Sequence, residues 1–157
     1  MIKEHSICFI KDEFFDDFPD PYLKKNKAQQ RPHYYCFKDD NTGLYWIIPL
    51  SSQIEKYNKI IENRKRQNKP CDILHIIKLG NDKQSVFLIQ DIFPITENYI
   101  DREYTINRIP LTLTNEKDRK EIRKKVTKIL GMIRNGVKLM NTQPDVLSIE
   151  KALLNKM

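Results

Sequence analysis

Seven consecutive apolar residues, Leu44 to Leu50 (LYWIIPL), run directly into two serines and then into a charged segment. A run that short and that continuous, rich in aromatic and β-branched residues, fits a strand buried on both faces. From Ser51 the period changes: Ile54, Tyr57, Ile60 and Ile61 recur at helical spacing, with Lys56, Lys59, Glu62 and Arg64 largely between them. A strand must therefore hand over to a helix at Ser51–Ser52. HYYCFK (33–38) precedes it across the turn-rich DDNTG, which predicts a hairpin. Ser52 and Glu55 fit a capping box at the helix start, and Pro70 ends the helix after NRKRQNK.

The same logic extends along the chain. HSICFI (5–10) reads as a first strand, KDEFFDDFPD as an acidic loop, and residues 20–32 as a long polar loop bounded by prolines. DILHIIKL (72–79) and SVFLIQ (85–90) flank the turn GNDKQ as a second hairpin, and DIFPITENYI continues as a short irregular strand. From Asn115 to about Met140, Ile122, Val126, Ile129, Ile133 and Val137 predict a long amphipathic helix. DVLSIEKALLNK closes the chain as a short helix. Mixed periods of this kind define an α+β architecture: a small antiparallel sheet or partly open barrel with helices packed on it.

At 157 residues the chain is expected to form one domain, 1–157. Its 28 Lys+Arg against 21 Asp+Glu give a net charge of +7, which favours a polyanionic partner, nucleic acid before membrane. Cys8, Cys36 and Cys71 are odd in number and widely spaced, which suits a reducing cytoplasm and argues against a disulfide framework or a zinc site. No signal peptide is evident in MIKEHSICFI, and the longest apolar run is too short to span a bilayer.

Positive charge is concentrated in three places. Lys24, Lys25, Lys27, Arg31 and Lys38 meet no acid before Asp39, and Tyr22, His33, Tyr34 and Tyr35 are interleaved with them, a pattern that suits base stacking beside phosphate contacts. Residues 55–69, including Lys59, Arg64 and Lys65, carry six basic side chains against two acids. The 116–138 segment, including Lys120, Lys124 and Lys128, carries nine against three. Each run is equally readable as a solvated face.

No H-E-x-x-H, Walker loop or G-x-G-x-x-G occurs, so neither a metal nor a cofactor is expected. His75 lies in an apolar strand and reads as a core or edge residue, and His5 opens a strand. His33 follows Arg31–Pro32 at a strand start, where a side chain of pKa near ~6.5 could transfer a proton. Ser51 and Ser52 offer hydroxyls at a helix N-terminus, a ready phosphate site that uses the same helix end as a simple cap.

Around this junction, RPHYYCF…TGLYWIIPLSSQIEK resembles the ToxN-type toxins of type III toxin–antitoxin systems, near the AbiQ and CptN branches. DIFPITENYI similarly resembles the family's Pro-Ile strand ahead of a long helix. The resemblance implies an SH3-like barrel similar to the Kid/MazF toxins with added helices. It also implies a metal-independent endoribonuclease held inactive by a repeat or pseudoknot RNA antitoxin in a protein–RNA hetero-oligomer. The family's Thr/Ser–Ser pair falls on Ser51 and Ser52, its following lysine on Lys56 after a two-residue shift, and its lysine after proline on His33, a departure.

The expected function is cleavage of single-stranded, A-rich RNA through attack of a 2′-OH on its own phosphate. Ser51 and Ser52 would hold the non-bridging oxygens, Lys56 and Arg31 would neutralise charge, His33 would shuttle a proton and Tyr34 or Tyr35 would stack a base. The alternatives are a non-catalytic RNA- or DNA-binding module on the same surface, and a protein-interaction domain whose charge is incidental.

Overall fold

The computed structural model describes residues 2–80 and 83–156. Its elements are β1 (Ile7–Ile10), α1 (Asp12–Asp17), β2 (His33–Lys38), β3 (Tyr45–Ser51), α2 (Ile54–Arg66), β4 (Leu74–Lys78), β5 (Gln84–Leu88), β6 (Phe93–Ile95), β7 (Ile100–Glu103), a ribbon of β8 (Thr105–Ile106) with β9 (Ile109–Pro110), α3 (Glu116–Arg134) and α4 (Val146–Asn155). This is an α+β fold with an antiparallel sheet in the order β4-β5-β3-β2-β1-β7. The sheet is open: β4 and β7 stand at its two ends. The turn expected at Asn81–Asp82 lies outside the described residues.

β3 is the centre of the sheet, as its unbroken apolar run predicts. Along one edge it pairs with β2, His33 opposite Pro49 and Lys38 opposite Tyr45. Along the other it changes partner, pairing with β6 over Tyr45–Ile47 and with β5 at Leu50 and Ser51. Pro49 sits where that change occurs. Leu50 donates its N–H toward β2, to the Pro32 carbonyl at 3.0 Å. Backbone donors alternate along a strand, so the N–H that proline lacks would have pointed into the split between β6 and β5, where no ladder needs it.

Trp46, Ile47, Ile48, Leu50, Phe87, Leu88 and Ile95 form the centre of the hydrophobic core. α3 covers it with Ile122, Val126, Ile129, Leu130 and Ile133, and α4 with Val146, Ile149 and Leu153. Asn115 caps α3 by accepting from the Asp118 N–H, and Asp145 caps α4 by accepting from Ser148.

Three local expectations are corrected. The acidic 11–20 segment is not a loop: Asp12–Asp17 is helical, because Phe14 and Phe18 stand one turn apart and pack with Phe93 and Tyr99. α3 stops at Arg134 rather than near Met140, since Gly136 at φ +79° turns the chain and leaves Val137 exposed. The Ser52–Glu55 capping box does not form. Gln53 occupies the N-cap of α2 without a side-chain bond, and Ser51 Oγ instead accepts from the Gln53 N–H at 3.2 Å.

No helix among the described residues is long and apolar enough to cross a membrane.

Candidate nucleic-acid interface and active site

The β3–α2 junction leaves Ser51 half-buried and Ser52, Gln53 and Lys56 exposed. Strand pairing explains which residue faces the serines. His33 opposes Pro49, two residues before Ser51, and the side chain that reaches the strand end is that of Arg31, through its bond to the Leu50 carbonyl. Arg31 is buried and donates from Nε to the Lys25 carbonyl at 2.6 Å and from Nη1 to the Leu50 carbonyl at 2.8 Å. It thereby ties the 20–31 loop to the strand end one residue before Ser51.

That loop is held in an unusual shape. Lys27, Ala28 and Gln29 all adopt the left-handed region, with φ of 53°, 55° and 63°. Each costs roughly 1–2 kcal/mol in an L-residue, so the surrounding contacts must over-determine the turn. Asn26 supplies them: its buried side-chain amide donates to the Ile10 carbonyl at 2.6 Å and to Asp12 Oδ1 at 2.9 Å, and its backbone carbonyl accepts from the Gln30 and Arg31 N–H groups. Gln29 closes the loop by accepting from the Asp12 N–H. The result presents Lys25 and Lys27 to solvent beside the junction, with Lys24 half-buried.

Three residues expected at the site lie in the core instead. The His33 ring is fully buried, edge-on to Phe93, and has no surface from which to reach RNA. Burial pushes its pKa down to about 3, so it is neutral; with Nδ1 bonded to the Arg31 carbonyl at 2.8 Å, the ring proton is on Nδ1. Its place is behind Arg31, as a brace. Tyr34 is also buried, its hydroxyl 2.6 Å from His5 Nδ1 and its ring packed on Phe87, so no base can stack on it. Tyr35 is buried and stacks on Tyr45.

The remaining basic residues divide into two groups. Lys59 and Lys65 are exposed on α2. Arg64, at the C-terminal end of α2, and Lys128 of α3 line one cavity of about 320 Å³ with Lys69 and Lys138. Lys120, Lys124 and Lys128 are exposed at four-residue spacing along α3, but Lys128 is ion-paired to Asp72.

Sequence reading missed two polar clusters. His75 is buried and bridged, Lys125 Nζ lying 3.0 Å from its Nδ1 and Asp118 Oδ1 3.2 Å from its Nε2. With Glu121, the histidine and Asp118 make a donor set within 4.8 Å, yet the Lys125 ammonium beside it already supplies the positive charge that a cation would bring. The second cluster centres on Asp91, which is buried beside Lys24 and Arg31. Its signal in the sequence is a lone acid inside the apolar run FLIQDIFPI.

No protein-family model matches the sequence, and no curated protein matches it. The fold is one already seen in RNA-regulated bacterial systems. The chain superposes with a TM-score of 0.66 on a solved structure from a bacterial antiviral system regulated by a processed non-coding RNA, at 11% identity over 97% of this chain and 98% of that one. It superposes with a TM-score of 0.61 on one from bacterial type III toxin–antitoxin systems, in which a non-coding RNA pseudoknot selectively inhibits the toxin, at 16% identity over 96% and 90% of the two chains. AbiQ, a lactococcal anti-phage endoribonuclease of a type III toxin–antitoxin system, gives a TM-score of 0.48 at 13% identity, over 85% and 76%. The expected α+β architecture with an antiparallel sheet and packed helices is thus met, at identities that speak for the fold alone.

Proposed function

We propose that the chain is an endoribonuclease toxin of the type III kind, a single cytoplasmic domain that cleaves single-stranded, A-rich RNA and is silenced by a repeat RNA antitoxin in a protein–RNA hetero-oligomer. The open sheet, with β3 shared between β6 and β5, is in this reading a partly open SH3-like barrel. The observation that carries the proposal is the convergence of Ser51, Ser52, Arg31 and the lysine-rich loop on one strand-to-helix junction, in a fold shared over the whole chain with RNA-regulated systems.

RNA brings its own nucleophile. The 2′-oxygen bonds to phosphorus, the P–O5′ bond breaks, and the 5′-oxygen takes up a proton as the 2′-oxygen gives one up, leaving a 2′,3′-cyclic phosphate and a 5′-OH. Ser51, Ser52 and the free N–H groups of the first turn of α2 hold the non-bridging oxygens. Lys56 and Arg31 meet the charge that grows on the phosphorane, and Lys56 protonates the leaving oxygen. His33 positions Arg31 through its carbonyl.

Labelled A-rich RNA incubated with the protein in EDTA tests this. Cleavage that leaves a cyclic phosphate and is lost in Ser51→Ala, Ser52→Ala and Lys56→Ala is expected. Tight binding without cleavage would establish the alternative, a non-catalytic RNA- or DNA-binding module, which the burial of His33 specifically favours.

A further inference from the structure

Behind the junction, the 21–31 loop, Asp91 and Thr142 enclose a cavity of about 440 Å³, a volume suited to a nucleotide-sized ligand. Its walls differ in chemistry. Tyr22 stands at the mouth, 47% exposed, with its backbone fixed by a bond from its N–H to Asp20 Oδ1 at 2.9 Å. Lys24, Lys25 and Lys27 ring it, and Arg31 joins it to the Leu50–Ser51 strand end.

Asp91 lies at its base, 1% exposed; the neighbouring Gln90 side chain favours its charge, but no donor among the described residues reaches either carboxylate oxygen with full hydrogen-bond geometry. A carboxylate kept only to balance charge would take the guanidinium fork of Arg31, yet the two Arg31 donors with partners go to the carbonyls of Lys25 and Leu50, not to Asp91. Two unsatisfied acceptors this deeply buried are costly unless a ligand supplies the donors. Burial raises the carboxyl to about 6, against Lys24, Gln90 and Arg31, which favour its charge; at neutral pH it remains an acceptor.

An exposed aromatic ring, a ring of lysines and a buried acceptor pair match a nucleotide part by part. We propose that this cavity is a nucleotide subsite of the RNA groove, in which Tyr22 stacks on a base, Asp91 accepts from that base's exocyclic amino group, and Lys24, Lys25 and Lys27 hold the flanking phosphates. Adenine, cytosine and guanine carry such an amino group. Uracil presents only carbonyl oxygens at the corresponding positions, which a carboxylate repels, so the subsite selects against uracil at one position near the cut. This rests on the RNA-cleaving reading for its substrate class, while binding can be measured without cleavage.

The test uses an A-rich oligonucleotide made uncleavable by 2′-O-methyl groups, with adenosines replaced one at a time by purine riboside, which lacks the amino group. One position is expected at which the replacement weakens wild-type binding about 10-fold. In Asp91→Ala that ratio falls to about 2-fold or less, whatever the overall affinity. Asp91→Asn, which keeps the shape and one acceptor oxygen, loses part of the ratio and serves if Asp91→Ala does not fold. Tyr22→Ala, at an exposed site, weakens all the oligonucleotides alike. No sensitive position, or a ratio undiminished in both Asp91 variants, overturns the subsite. Discrimination without cleavage of the matching all-ribose RNA leaves the subsite standing and overturns the endoribonuclease reading; cleavage without discrimination does the reverse.

Discussion

Arg31 donates from Nη1 to the carbonyl of Leu50 at 2.8 Å, so a buried cation stands one residue before Ser51. Its Nε reaches the Lys25 carbonyl at 2.6 Å, and the one side chain therefore sets both the loop and the junction. Arg31→Ala leaves two carbonyls without their charged donor, and we expect a loss of about 3 kcal/mol in unfolding free energy. Arg31→Lys offers a single head and cannot serve both carbonyls, so it recovers only part. Urea unfolding measures the stability; an RNA cleavage rate that falls no further than the folded fraction would remove Arg31 from the site.

The loop lysines are expected to be read in salt. For single-stranded RNA, each phosphate neutralised contributes about −0.7 to the slope of log K against log salt. Lys25→Ala and Lys27→Ala should each make that slope shallower by about this amount. Lys128→Ala should change it less, because Asp72 already pairs with Lys128. Equal changes at all three positions would extend the RNA contact to α3 as well, and a change at Lys128 alone would place it there instead.

Ala28 lies at φ 55° between two other left-handed residues. Ala28→Gly removes a steric cost of roughly 1–2 kcal/mol but raises the entropy of the unfolded chain by about 0.4–1 kcal/mol. The expected balance is a small gain in thermal stability. A clear loss would mean that the Ala28 methyl group makes contacts that outweigh its strain.

Two buried groups should shape acid unfolding in opposite directions. His33 titrates near 6.5 when unfolded and at about 3 when folded, so the unfolded chain binds the extra proton. Its contribution is fully present above pH 6.5 and is lost as pH falls toward 3. Asp91 is the reverse: its folded pKa of about 6 lies above the ordinary 3.8, so it favours the folded state as pH falls through 6 and disfavours it at neutral pH. His33→Gln should flatten the acid limb of a Tm-against-pH curve, and Asp91→Asn should steepen it between pH 6 and 4.

At pH 8, Asp91→Asn should also raise the Tm, because it removes a buried charge that burial disfavours. Keeping the acid then has a stability cost that function must offset. Calorimetry at pH 8 and pH 5 checks both signs; a lower Tm for the variant at pH 8 would mean that Lys24 and Arg31 outweigh desolvation.

Most of the fold is legible in the chain because hydrophobic period is a local property. The continuous apolar run of β3, the period switch at Ser51 and the four-residue repeat of α3 each follow from contacts within a few residues or from one buried face. The elements read less well are those decided at a distance. Asp12–Asp17 is helical because Phe14 and Phe18 find Phe93 and Tyr99.

The site divides in the same way. The proposed site residues Ser51, Ser52, Lys56 and the lysine-rich loop could be nominated from sequence, since a strand-to-helix junction and a run of like charge are both contiguous in it. Which side chains face solvent is a matter of strand pairing and packing, and these turned His33 and Tyr34 inward, set Arg31 on the Leu50 carbonyl beside Ser51, and brought Asp91, some sixty residues along the chain, to the base of the loop's cavity. A side chain's environment is made by neighbours distant in sequence, and burial by those neighbours governs both its access to RNA and its charge.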